Sequence, residues 1–84
     1  MYEVLLERAA EADLKRLSKE KFYHVILHLK ALSEDPRPIG CRKISGSKKD
    51  WRVRIGDYRV LYEIDDKLKT VKVFRVRHRR EAYR

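Results

Sequence analysis

One cysteine, three glycines and two prolines are all that this chain of 84 residues has of those types, and its 13 acidic residues are outnumbered by 22 basic ones. Each shortage excludes something. Cys41 alone forms no internal disulfide, and with three scattered histidines it makes no structural zinc site, so a reducing cytoplasm is expected. There is no Gly-rich phosphate loop, no repeat and no Pro- or Gly-rich linker, so a single domain over residues 1–84 is expected. There is no long apolar run, and acids enter from Glu3, so neither a secretory signal nor a membrane span is expected. A chain this short buries only roughly 60% of its unfolded surface, so its core is small.

What is abundant is positive charge. The net charge is +9. It is unevenly placed: residues 1–35 carry −1, residues 36–59 carry +6, residues 60–71 carry −1 and residues 72–84 carry +5. Two basic blocks on so small a body favour polyanions, whether nucleic acid, an anionic membrane or an acidic protein.

The hydrophobic pattern gives the elements. Tyr2–Leu6 is apolar enough for a strand. From Glu7 the period becomes helical through Ala10, Leu14 and Leu17, and Ser18 can cap a second helix striped by Phe22, Val25, Ile26, Leu29 and Leu32. That helix must end before Pro36. Cys41–Ile44 is a candidate strand, followed by the basic loop Ser45–Lys49. Trp51–Ile55 alternates strictly, Gly56-Asp57 makes a two-residue type II′ turn, and Tyr58–Ile64 returns. Thr70–Arg77 is a last strand. The expected fold is α+β in the order β-α-α-β-β-β, with a helix hairpin packed on one face of a mainly antiparallel four-stranded sheet.

That hairpin aligns side chains. A two-residue turn sets Arg54 opposite Arg59, with Arg52 on the same face, while Trp51, Val53, Ile55, Tyr58, Val60 and Tyr62 share the other face and form core. Directly opposed like charges cost the sheet up to about 1 kcal/mol. A pair of guanidiniums there is better explained as a clamp for phosphate, which arginine grips bidentately. The competing reading is a solvated basic face. The end of the chain, Arg75–Arg84, gathers guanidiniums with His78 and the phenol of Tyr83. RNA cleavage by the 2′-hydroxyl needs a proton acceptor, charge on the phosphate and a donor to the leaving oxygen. Arginine holds its proton too tightly to be the acceptor, which leaves His78, Lys48 and Lys49 as candidates. A tail that merely tracks phosphates is the alternative. His24 and His28 have metal-binding spacing but lie opposite the apolar stripe with no third ligand near in sequence, so a solvated helix face is expected.

The stretch Asp50–Ile64 (DWRVRIGDYRVLYEI) and the terminal VFRVRHRREAYR together resemble the RelE branch of the RelE/ParE toxin superfamily, over essentially the whole chain. The resemblance implies a type II toxin–antitoxin toxin: a ribosome-dependent endoribonuclease that cuts mRNA without a metal or other cofactor. It implies a cognate acidic, RelB-like antitoxin in a heteromeric complex, the ribosome and mRNA as further partners, and a cytoplasmic protein with no membrane role. Position by position, Arg59 matches the family's phosphate-stabilising strand arginine, Arg79 its C-terminal arginine and Tyr83 its terminal tyrosine. Arg52 and Arg54 fall where the best-known member has lysines. The catalytic set implied by residues and resemblance together is Arg54, Arg59, His78, Arg79 and Tyr83, with Lys48, Lys49, Arg52, Arg77 and Arg80 binding RNA. Two other functions are compatible: a ParE-like inhibitor of DNA gyrase, and a non-catalytic RNA-binding relative.

Overall fold

The computed structural model describes residues 1–82. In chain order the elements are β1 (Glu3–Leu6), α1 (Arg8–Lys15), α2 (Lys19–Ala31), β2 (Arg42–Lys43), β3 (Asp50–Ile55), β4 (Tyr58–Asp65), β5 (Thr70–His78) and a terminal helical turn α3 (Arg79–Ala82). Ser18 caps α2 as its residue type suggests, its Oγ accepting the Lys21 N–H at 3.3 Å. Gly56 takes φ +59°, the left-handed value that the first central position of a II′ turn demands. No described helix is long and apolar enough to cross a membrane.

The strands form one sheet in the order β1-β5-β4-β3-β2. It has five strands where four were expected, because two residues of the Cys41–Ile44 candidate pair with β3 as the edge strand β2. All pairings are antiparallel except β1 with β5. The first strand therefore lies beside the last, with Glu3 opposite Thr70 and Leu6 opposite Val73.

One core lies between the sheet and the helices. Ala10 and Leu14 of α1 and Val25 and Leu29 of α2 meet Val53, Ile55, Val60, Tyr62, Ile64, Val71, Val73 and Val76 of the strands. Trp51 packs partly buried against this core, and the Arg37 guanidinium lies 5.1 Å above its ring. Tyr62 is fully buried at the sheet centre and donates to the Pro36 carbonyl at 2.8 Å, which fixes the loop between α2 and β2. Burial pushes its phenol well above the ordinary tyrosine range.

One irregularity decides which side chains face outward. Between Leu61/Tyr62 of β4 and its partners, β5 carries a bulge at Phe74, so Tyr62 pairs with Val73 but Leu61 pairs with Arg75. Inward positions on β5 change from odd numbers (Val71, Val73) to even (Val76). Beyond the bulge, Arg75 and Arg77 point away from the core and His78 points toward it.

Candidate phosphate-binding face

The sheet face turned away from the helices carries two rows of arginines. In the first, Arg54 of β3 is the direct partner of Arg59 of β4, and Arg59 is in turn the partner of Arg77 of β5. Three guanidinium side chains thus run side by side across three strands at the Gly56-Asp57 end of the sheet. In the second row, two residues along the strands, Arg42 of β2 faces Arg52 of β3. Leu61 and Arg75 continue that row on β4 and β5. Arg75 is turned to the edge, where its Nε and a terminal nitrogen donate to the two carboxylate oxygens of Asp13 at 2.8 and 3.1 Å. The third row opens with an acidic pair, Asp50 opposite Glu63, and is continued on β5 by Lys72.

A shallow cleft of about 150 Å³ opens on this face, lined by Gly40, Arg42, Arg52, Val53, Arg54 and Arg59. Arg42, Arg52 and Arg54 are exposed, while Arg59, in the middle of the first row, is partly covered. Side by side, such arginines repel one another on a folded sheet, and a bound anion with several acceptor oxygens relieves that repulsion. The arrangement can hold a phosphate and stabilise charge that develops on it.

Arg79 reaches the same end of the sheet. Its backbone N–H donates to the Asp57 carbonyl at 2.7 Å, pinning the start of α3 to the β3–β4 turn. Arg80 follows it, exposed on α3. Tyr83 lies outside the described residues.

The candidate proton acceptors are not brought to the arginine row. His78 is paired with Tyr58, and the two rings meet edge to face with centroids 5.3 Å apart. That contact lies on the helix side of the sheet, where His78 lines a recess with Asp13, Arg16, Leu17, Tyr58 and Val76. Its Nδ1 accepts the Arg80 N–H at 3.2 Å. The bulge at Phe74 is the cause: without it, His78 would share the face of the arginines and Arg77 would point inward. Lys48 and Lys49 precede β3 at its far end, five residues and about 17 Å from Arg54. Lys49 is engaged there by Asp65 at 3.5 Å; the Leu68 N–H first, then Lys49 and the Lys67 N–H, hold the Asp65 carboxyl below its ordinary range. On α2, His24 and His28 face solvent with ring centroids 4.8 Å apart, and His28 Nδ1 meets the His24 carbonyl.

Two residues of the cleft escaped the sequence reading. Arg42 has the alternating spacing of a strand but lies in a pairing only two residues long. Gly40 sits third in the turn Pro38-Ile39-Gly40-Cys41, closed by the Cys41 N–H to the Pro38 carbonyl at 3.0 Å, with φ +93°. A glycine between Ile39 and Cys41, able to take the positive φ that the third position of a type II turn requires, was the signal available.

A small α+β domain with an open, arginine-lined sheet face is the class that fold and site define. A model of the ParE toxin of type II toxin–antitoxin systems matches residues 4–83. Toxin RelG of Mycobacterium tuberculosis is 34% identical over 87 residues, which span 99% of this chain and 97% of the relative. Among solved structures, the RelBE2 toxin–antitoxin complex of the same organism aligns at 30% identity and a TM-score of 0.82, over 92% of this chain and 96% of that one. The archaeal RelE–RelB complex of Pyrococcus horikoshii aligns at 26% identity and 0.83, over 93% and 94%. The chain therefore belongs to the ParE toxin family of type II toxin–antitoxin systems, on the RelE branch of the RelE/ParE superfamily.

Proposed function

We propose that this toxin is a ribosome-dependent endoribonuclease that cuts mRNA, using the 2′-hydroxyl as nucleophile and its own guanidiniums to carry the charge. The observation that supports this reading most is the first arginine row, Arg54–Arg59–Arg77, with Arg79 anchored beside it. In this mechanism the 2′-oxygen attacks the adjacent phosphorus in line with the departing 5′-oxygen. The P–O5′ bond breaks as the new P–O2′ bond forms; the 2′-proton passes to water and the departing 5′-oxygen takes one from water, leaving a 2′,3′-cyclic phosphate and a 5′-hydroxyl. Arg59, flanked on both sides, bears on the non-bridging oxygens as their charge rises, and Arg54, Arg77 and Arg79 hold the phosphate and the strand around it. The nearest imidazole in the sheet, His78, lies one strand over and one residue along from Arg59, but on the opposite face, against Tyr58. The rate comes from orientation and charge stabilisation by the arginines, and the role proposed for Tyr83 is to stack on a base or orient the nucleophile.

The partner that restrains the toxin is a RelB-like acidic antitoxin. The two similar solved structures are toxin–antitoxin complexes, RelE–RelB and RelBE2, and the +6 and +5 blocks invite an acidic segment across them. Cytoplasm, where ribosomes work, is the place of action.

A second reading, inhibition of DNA gyrase, is favoured by the ParE name of the matching family model. Induced expression followed by mapping of mRNA 5′ ends separates the two. New ends within translated frames are the expected result. Intact mRNA with damaged DNA would overturn the reading in favour of gyrase.

A further inference from the structure

We infer that the second arginine row, Arg42 with Arg52, is a binding subsite for the phosphate next to the scissile one, so that the cleft holds two successive phosphates of a single RNA strand. The inference rests on the reading of the first row as the cleavage site and adds a residue, Arg42, and a direction of the strand to it.

The geometry carries it in three ways. First, Arg42 and Arg52 are direct partners across β2 and β3, the same like-charged opposition that marks the first row, at an edge where the sheet could have placed any residue. Second, the rows are two residues apart on β3, a step of about 6.8 Å. That separation is of the order of the distance between successive phosphates of an extended strand. Both rows line one continuous cleft, and Gly40, whose φ of +93° excludes other residue types, leaves its floor bare: a Cβ there would meet no atom within 4 Å. Third, the acidic pair Asp50 and Glu63 closes the direct route along β3 and β4. A polyanion leaving Arg59 is turned sideways, over Arg52 and toward Arg42 on the sheet edge. The base of a guanine could also satisfy one arginine, but it carries no charge and leaves the repulsion of two facing guanidiniums in place, whereas a phosphate removes it.

The test is binding of a short, fully 2′-O-methylated oligoribonucleotide, which keeps its phosphates and has no nucleophile. Anisotropy is followed from about 50 to 200 mM salt for wild type, Arg42→Ala, Arg42→Lys and Arg59→Ala. Circular dichroism confirms that each variant is folded. A phosphate contact at Arg42 predicts that the alanine variant lowers the slope of log K against log salt by roughly 0.7, equally for every sequence, and that lysine restores it. An unchanged slope in Arg42→Ala overturns the subsite. So does a loss confined to oligonucleotides with one particular base, which would make Arg42 a reader of that base. If Arg59→Ala lowers the slope and Arg42→Ala does not, the second subsite alone is wrong. If neither does, the face binds no RNA and the proposed function falls with it.

Discussion

Asp13 takes the place of a strand at Val76: its Oδ2 accepts the Val76 N–H at 2.9 Å, in a stretch of β5 that β1 does not reach. The ladder of β1 ends with the Glu7 N–H on the Val73 carbonyl, and α1 then carries the carboxylate over the exposed edge. The same carboxylate grips Arg75, with Asp13 buried and Arg75 about a third exposed.

Asp13→Ala should therefore loosen one half of one strand. The orphaned Val76 N–H and the partly covered guanidinium together imply a loss of about 2 kcal/mol, reduced from the buried-pair figure because water reaches Arg75. The melting temperature measures the loss, and amide exchange locates it. Faster exchange at Val76 than at Val60 is the expected pattern; uniform acceleration across the sheet would mean that Asp13 supports the fold in some other way.

Arg59→Ala should lower the cleavage rate on programmed ribosomes on the order of a hundredfold, close to 3 kcal/mol of transition-state stabilisation. Its melting temperature should change little, because the side chain lies off the core face. Arg54→Ala in the same background should cost less than it does alone, since both act on one phosphate. A folded Arg59→Ala protein with full activity would take the first row out of the chemistry.

His78→Gln should leave the shape of the single-turnover pH–rate profile unchanged between about pH 5 and 8, because the imidazole lies against Tyr58 on the helix side. Disappearance of an inflection in the variant would return His78 to the proton-transfer step and require β5 to rearrange on binding.

Asp66 gives the expected acid response. Hydrogen bonds from Arg37 and Tyr2, in that order of weight, hold its carboxyl below the usual range. A group whose folded-state value is depressed stabilises the fold above its unfolded value, about 3.9 for Asp, and loses that contribution as pH falls through the folded value. Asp66→Asn should thus melt below wild type at neutral pH, and the gap should narrow only below about pH 4. A gap that stays constant down to pH 2 would show that charge on Asp66 plays no part.

The hairpin was legible in sequence because a two-residue turn leaves one register, and Arg54 opposite Arg59 follows from it. The stripe on α2 was legible because Val25, Leu29 and Leu32 recur on one face. The last strand was not. Its alternation of Val71 and Val73 breaks to Val76, a spacing of three that signals a bulge only when the partner strand is known. That one extra residue exchanges the faces of Arg77 and His78, which sets the imidazole on the helix side and the arginine in the row. Arg42 was missed because an edge pairing two residues long has no period to detect.

The order of the sheet has a consequence for how the protein is made. β5 lies between β1 and β4, yet it is the last strand to leave the ribosome, and Glu3 must wait for Thr70 before it has a neighbour. Until then the inward side chains of β1 and β4 border a gap, and the helices have an incomplete surface to settle on. Such distant pairing slows folding, because a long loop must close before any contact rewards it. The arginine face is therefore incomplete in the nascent chain of this toxin. Its Arg54–Arg59 hairpin emerges early, but the row gains Arg77 only when the strand that completes the core arrives.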